Sequence, residues 1–283
     1  MSNASRIIIS VLLAAMLCAG AAAGEYNLGW GVVAGGGDSS GTSASYRLTV
    51  TAGQAAAGFA QGASRLHWIG FWAGEVPTPT VVSTLSAAKI LPDGVFVSIS
   101  GKIATSAGGD FADFFYVEEP GRSNGMRVAV PPGPIAELAR GSVVNVIGTL
   151  GATPAGERQL TGPVVVIVTT QTPLTPLGMP NRYVGGGSLG DPISGLGQYG
   201  ITGGTGLSNV GLLIKSWGRV IEVGSGYIVM DDGSSTPVRV STEGMSSLPG
   251  MNDHITVVGI SSIYKPGADR LRYVLPRERN DID

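Results

Sequence analysis

The sequence predicts an all-β protein in which two five-stranded barrels follow a small N-terminal β-module. Glycine accounts for 45 of the 283 residues, more than the charged residues together (18 basic plus 20 acidic, or 38). Short alternating apolar stretches stand between glycine-rich turns, a pattern typical of short strands. Four blocks of sequence also return later in the chain in the same order, which indicates a duplicated unit.

The composition excludes several classes of protein. Hydrophobic residues make up 43% of the chain and the mean hydropathy is +0.26, so the chain is not a disordered polyampholyte. There is no Gly-X-Y period, which excludes collagen. The net charge of −2 argues against a strongly basic nucleic-acid binder.

An export signal is predicted over residues 1–23. Arg6 precedes an apolar run over residues 7–17, and the small residues up to Ala23 offer a cleavage site. The alternative is an uncleaved anchor. Cleavage near Ala23 would remove Cys18, the only cysteine, and with it any disulfide or thiolate ligand. No later stretch is apolar for about 18 residues, so we expect no integral membrane span after signal removal and a secreted, periplasmic or cell-surface protein.

Residues 24–75 predict a glycine-rich β-module of three or four short strands. The alternation over residues 46–51 favours a strand, and the run from Gly35 to Asp38 favours a turn. With its GGG turn, the GQ at 53–54 and the GFW at 70–72, the segment resembles a short module at the start of bacterial surface proteins. That resemblance implies no chemistry. Residues 76–86, which include Pro77 and Pro79, predict a stiff linker.

An internal repeat is the most informative feature of the remaining sequence. Residues 97–103 match 214–220 with one residue of slippage. The later blocks follow in the same order: 114–119 matches 227–232, 125–128 matches 237–240, 141–148 matches 251–259, and 156–160 lies where 269–273 does. We therefore predict a first barrel over residues 87–180 and a second over residues 209–283. The glycine-rich connector between them, residues 181–208, is either a flexible tether or an ordered loop packed between the barrels.

Each repeat has the strand plan of an OB-fold. Five short strands are predicted in each, with a helical turn over residues 134–140 between the third and fourth strands of the first repeat. A glycine inside the first strand lets a small barrel coil sharply. The second repeat, with GRV at 218–220 and the DDGS turn at 231–234, resembles OB-folds of the anticodon-binding and replication protein A class. The first repeat departs from that motif, because it has EEPG at 118–121.

Strand parity divides the side chains of the second repeat into two faces. One parity predicts a core, made of Ile214, Gly218, Val220, Ile228, Met230, Val238 and Val240. The other parity predicts an outer patch, which we take as the candidate ligand-binding site: Lys215, Trp217, Arg219, Tyr227 and Arg239. The same parity in the first repeat gives Ser98, Ser100, Lys102, Phe114, Tyr116 and Arg127. Aromatic side chains can stack on bases or sugar rings, and this is the face on which OB-folds bind oligonucleotides and oligosaccharides.

Packing is the alternative role for these aromatic side chains, since they could cover a neighbouring domain. The charge balance favours packing or a protein contact. Residues 85–180 hold six basic and seven acidic side chains, and residues 209–283 hold eight and nine. Neither barrel is net positive, so the electrostatic contribution to nucleic-acid binding is weak.

The sequence lacks the residue sets of common catalytic and metal sites. The two histidines, His67 and His254, lie in different modules, and no His/Cys cluster is present. The G-x-G-x-x-G over residues 195–200 follows no predicted strand and precedes no helix, so we do not interpret it as a dinucleotide site. The adjacent acids at 231–232 and 118–119 are interpreted as turn formers. We expect no cofactor, no metal and no enzymatic activity.

Two functions are consistent with these features. The first is an exported, non-catalytic binding or scaffold protein of the cell envelope or extracellular space, with an unknown protein or surface polymer as its partner. The second is a single-stranded nucleic-acid or oligosaccharide-binding module that is accessory to a separate enzyme.

Overall fold

The computed structural model describes residues 78–130 and 135–283, and the backbone of residues 36–42, 47–52, 58–61 and 66–69. The predicted signal peptide, residues 1–23, lies outside these ranges. The N-terminal strands are β1 (Gly36–Thr42), β2 (Arg47–Ala52), β3 (Gly58–Gln61) and β4 (Leu66–Ile69), and β1 pairs with β2 in antiparallel fashion. The expected turn at Gly35 to Asp38 is not where the chain reverses, because Gly36 already belongs to β1.

The first barrel closes through a hydrogen bond ladder between its first and fourth strands. Its elements are β5 (Thr80–Val82), α1 (Leu85–Lys89), β6 (Phe96–Ala104), β7 (Phe114–Glu118), β8 (Gly125–Ala129), β9 (Ser142–Ala152) and β10 (Arg158–Thr170). The strand order is β5-β6-β7-β8-β10-β9, with β6 also paired to β9. The β8–β10 pair is parallel, and its neighbours in the barrel are antiparallel. The short strand β5, within the predicted linker, runs parallel to β6.

The second barrel has the same connectivity. It comprises β11 (Leu177–Gly178), a 3-10 helix (Asn181–Tyr183), β12 (Leu189–Asp191), β13 (Leu196–Gln198), β14 (Leu213–Gly224), β15 (Tyr227–Asp231), β16 (Val238–Ser241), β17 (His254–Tyr264), β18 (Leu271–Leu275) and a 3-10 helix (Arg279–Asp281). The order β11-β14-β15-β16-β18-β17 closes through β14–β17, and β16–β18 is the parallel pair. The predicted fold class, all-β with two OB-like five-stranded barrels, is confirmed.

Each barrel encloses its own apolar core. In the second, every predicted core side chain is buried: Ile214, Val220, Ile228, Met230, Val238 and Val240. In the first, Val97, Phe115, Val128 and Val146 are among the core residues, and Leu85 of α1 packs against them. The helix begins at Leu85 because the Thr84 hydroxyl accepts a hydrogen bond from the Ala87 N–H at 3.2 Å, an N-cap. Sequence reasoning missed this helix.

The expected helical turn over residues 134–140 is not present as a helix in its described part, residues 135–140. This segment forms turns instead, with a hydrogen bond from the Leu138 N–H to the Ile135 carbonyl. Leu138 is buried in the first core, and its carbonyl accepts from the Gly108 N–H. The segment is therefore fixed by contacts with the barrel, and a helix of six residues would be too short to be stable alone.

A β-bulge in β6 reverses the expected orientation of Lys102. The register with β9 shifts between Ile99 and Lys102, and Gly101 takes the positive φ of +67° that the bulge requires. Lys102 consequently stands opposite the core residue Val144 and is 3% exposed. Its ammonium donates to Glu119 at 2.9 Å and to the Ser83 carbonyl at 2.8 Å. The prediction that Lys102 belongs to the outer ligand face is wrong, because the extra residue inverts the parity beyond it.

The glycine-rich connector is ordered and contacts both barrels. The Gln198 side chain accepts from the Arg158 N–H of the first barrel at 2.8 Å and donates to the Gly156 carbonyl at 3.1 Å. On the other side, the Thr202 hydroxyl accepts from the Arg270 N–H of the second barrel at 2.9 Å. The connector is thus a packed loop and not a tether.

Candidate functional site

The outer face of β14 presents the most exposed aromatic side chain of the predicted patch. Because residues alternate across a strand, Ile214 and Val220 point inward while Trp217 and Arg219 point outward. Trp217 stands opposite Thr256 of β17, and Arg219 lies between His254 of β17 and Asp231 of β15. Two of the five predicted patch residues of this barrel are therefore neighbours.

These side chains line a groove of about 760 Å³, which we call the Trp217 groove. Its polar and aromatic lining consists of Trp217, Arg219, Asp231, Asp232, His254, Thr256 and Asp283. Gly218 forms part of its floor, where a Cβ atom would lie 2.8 Å from the Asp231 carbonyl carbon. The volume falls in the range of small-molecule sites in proteins.

The acidic turn at one end of the groove is held by hydrogen bonds to the backbone. Asp231 accepts from the Gly233 N–H at 3.1 Å, and Asp232 accepts from the Ser234 and Asn181 N–H groups at 3.0 and 2.9 Å. Partial burial alone would raise the pKa of Asp232, but these hydrogen bonds outweigh it and lower the pKa. Asp232 is therefore a carboxylate at neutral pH, and the interpretation of the acidic pair as turn formers is confirmed.

Trp217 is 48% exposed. In the part of the chain whose side chains the structure describes, no aromatic ring or cation stacks on its indole. About half of the Trp217 side chain is therefore accessible to a ligand.

Tyr227 and Arg239 lie apart from the groove. Tyr227 is four residues from Asp231 along β15, a separation of about 13 Å at strand spacing. The Arg239 guanidinium stacks at 3.3 Å from the Tyr227 ring centroid and 4.2 Å from that of Tyr264. The Tyr227 hydroxyl donates to Glu222 at 2.6 Å, and this bond raises the Tyr227 pKa. Together with Tyr273, whose ring lies 5.7 Å from Tyr264, they form a tyrosine–arginine cluster outside the groove.

Lys215 is exposed but does not reach the groove. It stands opposite Val258 of β17 and beside Gly178 of β11. The structure therefore divides the predicted patch of the second barrel into three separate places.

The corresponding face of the first barrel is covered by the second barrel. Tyr116 is buried and packs with Leu213 and Ile260 of the second barrel, and Phe114 packs against the same cluster. The Tyr116 hydroxyl donates to Glu157 at 2.8 Å, and the other oxygen of Glu157 accepts from Ser262 at 2.7 Å. Burial raises the pKa of Glu157 against these hydrogen bonds. Tyr116 is on the outer face as predicted, but it is not available to a ligand.

Two charged side chains of the first barrel also bind the backbone of β14. Glu118 accepts a hydrogen bond from the Leu213 N–H, while Arg122 donates to the Leu213 carbonyl at 2.8 Å and to Glu118 at 3.1 Å. Burial raises the pKa of Glu118, and the Leu213 N–H and Arg122 oppose this shift. The interpretation of Glu118 and Glu119 as turn formers is incomplete, because Glu118 joins the barrels and Glu119 holds Lys102 and the Leu85 N–H. These roles depend on which distant residues the two glutamates meet in the fold, and the sequence alone does not give those contacts.

Nothing in the described side chains resembles a metal centre: no group of three or more His, Cys, Asp and Glu is placed to hold an ion. His254 is exposed at the rim of the Trp217 groove, and the side chain of His67 lies outside the described part. The G-x-G-x-x-G at 195–200 overlaps β13 of a β-hairpin, so it has no helix N-terminus to bind a phosphate. Along the described residues, no helix has the length and apolar character needed to cross a membrane.

Comparison with known proteins places the chain in no family. No family model matches it, and no curated protein matches its sequence. Among solved structures, the chain is similar to a murine DNA-binding protein bound to double-stranded DNA, at 10% identity and a TM-score of 0.32, over 64% of this chain and 91% of that one. A likeness at this level gives no basis for assigning a ligand.

Proposed function

We propose that the protein is a non-catalytic binding protein, acting after export, that binds a neutral oligosaccharide in the Trp217 groove of its second barrel. The observation that carries the proposal is the exposed, unstacked indole of Trp217 in a groove with hydrogen-bonding side chains on both sides. An isolated aromatic platform beside polar groups suits a sugar ring, which offers an apolar face and a rim of hydroxyls.

The charges of the groove favour an uncharged ligand over a nucleic acid. Arg219 is the one arginine among its lining residues, while Asp231, Asp232 and Asp283 contribute three carboxylates. A phosphodiester chain would meet net negative charge there, whereas the counterion-release mechanism of nucleic-acid binding needs cationic contacts. Carboxylate and guanidinium groups both form hydrogen bonds with sugar hydroxyls.

The first barrel supports the second in this proposal. Its corresponding face is occupied by the contacts of Tyr116, Glu118 and Arg122 with the second barrel. A buried interface of this kind holds the barrels in one arrangement and leaves the outer face of β14 around Trp217 open. The first barrel would thus act as a scaffold and the second as the binding module.

The test is calorimetric titration of the full chain with cellohexaose, maltohexaose and chitohexaose, and in parallel with a twelve-residue oligothymidylate at two salt concentrations. We expect binding of at least one hexasaccharide, with little dependence on salt. Trp217→Ala should weaken it by about 1–3 kcal/mol, the range of aromatic stacking on bases, without changing the melting temperature. Tyr183→Ala provides the matched control, because Tyr183 is a comparably exposed aromatic at 43% outside the groove.

Two outcomes would contradict the proposal. Salt-dependent binding of the oligothymidylate with no binding of the sugars would favour the nucleic-acid alternative. A loss of stability in Trp217→Ala by the 3–5 kcal/mol typical of a buried aromatic would mean that the indole has a packing role.

A further inference from the structure

A second cavity lies at the seam between the two barrels. It has a volume of about 370 Å³ and lies where the outer face of β7 and β8 meets β17 and β18. Aromatic rings form much of its wall: Phe114 and Tyr116 from the first barrel, Tyr264 and Tyr273 from the second. Arg127 of β8 and the exposed Lys265 supply its positive charge.

The N–H groups of the Arg127 guanidinium form no hydrogen bond with the described residues. Its guanidinium stacks 3.8 Å from the Phe114 ring centroid, which occupies the face of the group and leaves the N–H groups in its plane. Its Nε atom is buried and has no hydrogen bond partner among the described residues. The closest carboxylate, on the exposed Asp113, lies 3.9 Å from Nη2, too far for a hydrogen bond.

The neighbouring strand, β10, also contains a buried polar group without a hydrogen bond partner. Gln159 of β10 is the register partner of Arg127 in the parallel β8–β10 pair, and its Oε1 atom is also buried without a partner within the described ranges. Glu157, which also lines the cavity, is already hydrogen-bonded through both oxygens, to Tyr116 and Ser262. Buried polar groups in folded proteins are nearly always satisfied, so the unpaired Nε of Arg127, a residue of the cavity wall, indicates a missing partner.

The second barrel shows that this arrangement is not a general property of the repeat. Arg239 and Tyr227 occupy the positions that Arg127 and Phe114 occupy in the first barrel, with the same stacking geometry. Arg239, however, is stacked by Tyr264 as well, and its Nε is not among the unsatisfied buried atoms of the described chain. The pair at the seam, unlike its counterpart in the second barrel, combines a cavity, aromatic walls and an unpaired guanidinium Nε.

We infer that this cavity is a binding site for a small aromatic carboxylate, with the carboxylate bound by Arg127 and the ring against Tyr264 and Tyr273. Guanidinium groups bind carboxylates through charge-assisted hydrogen bonds, and Lys265 at the rim adds a second positive charge. The walls suit a flat apolar body, and the volume accommodates one ring and its substituents but not a polymer. The site is separate from the Trp217 groove and does not depend on it.

The experiment is a titration of the full chain with 4-hydroxybenzoate and, as a neutral analogue of the same shape, 4-hydroxybenzamide, followed by NMR and calorimetry. We expect saturable binding of the acid and at least about tenfold weaker binding of the amide, since charge-assisted hydrogen bonds are worth roughly twice neutral ones. Arg127→Gln should weaken binding of the acid by a similar factor. Arg182→Gln, which removes an exposed arginine that stacks on Tyr183 and does not line the cavity, should leave binding unchanged.

The acid and amide pair tests the inference on the unaltered protein, so it does not depend on whether Arg127→Gln folds. Lys265→Gln, at an exposed position, gives a second variant in which a smaller loss of acid affinity is expected. Equal binding of acid and amide, the absence of saturable binding, or an equal loss in Arg182→Gln would each overturn the inference.

Discussion

At the scale of single residues, Lys89 is the most heavily buried cation among the side chains that the structure describes. It lies on α1 of the first barrel, is 1% exposed, and donates to the Val210 carbonyl at 2.8 Å. Burial lowers its pKa from 10.5 to about 8, and the field of Glu157 opposes that shift. The ammonium thus links the helix of one barrel to the segment that enters the other.

The lowered pKa predicts a pH-dependent stability. Between pH 8 and 10.5 the unfolded chain holds the Lys89 proton more tightly than the folded protein, so the free energy of unfolding rises with pH across this window. Relative to Lys89→Met, the free energy of unfolding of the unaltered protein should increase by roughly 3 kcal/mol between pH 8 and pH 10.5. Urea denaturation at the two pH values measures the difference, and the exposed Lys215→Met is the control. A difference that does not change with pH would contradict the prediction.

The hydroxyl of Tyr116 predicts a second effect at residue scale. Tyr116→Phe would leave an oxygen of the buried Glu157 without its donor, which should lower the free energy of unfolding by about 1–3 kcal/mol. Tyr227→Phe removes the same bond from an exposed pair with Glu222 and should cost much less. Chemical denaturation of both variants provides the comparison. Equal losses would show that the buried network contributes nothing beyond a surface hydrogen bond.

At the scale of elements, alternation predicted most strand faces and failed where a strand is irregular. The parity of β14, β15 and β16 placed six core side chains correctly, because these stretches keep a regular register with their partners up to Val220. In β6 the bulge at Gly101 inverted the orientation of Lys102. A glycine in a strand predicts a bend, but whether it adds a residue to the ladder depends on the facing strand.

A close backbone contact between elements leads to a third prediction. Gly125 at the start of β8 faces Gly211 before β14, and a Cβ atom on Gly125 would lie 2.0 Å from the Gly211 carbonyl oxygen. Gly125→Ala should therefore push the two segments apart. We expect it to lower the free energy of unfolding by at least about 1–3 kcal/mol, the range typical of overpacking. Gly121→Ala, with open space around its Cβ, is the matched control. Thermal unfolding of both distinguishes the cases, and equal melting temperatures would refute the contact.

At the scale of the whole molecule, the sequence predicted two barrels but not the contacts between them. Parity correctly assigned Trp217 and Tyr116 to outer faces. Which of the two would be covered depended on long-range packing, because Tyr116 meets Leu213 across a distance of almost one hundred residues. The candidate groove was therefore only half predictable: its tryptophan and arginine came from β14, while Asp231, His254 and Asp283 join them through the closure of the barrel.

The connector gives the last prediction. Gln198 is buried and forms three hydrogen bonds, with the Arg158 N–H and with the Gly156 and Tyr199 carbonyls. Gln198→Ala leaves buried backbone groups unpaired and should cost about 1–3 kcal/mol. If the barrels and connector unfold as one unit, hydrogen exchange in β7 of the first barrel and β15 of the second should accelerate by the same factor. Ser194→Ala, at the exposed hairpin tip, should leave both unchanged. Acceleration confined to the first barrel would mean that the barrels unfold independently and that the connector only joins them.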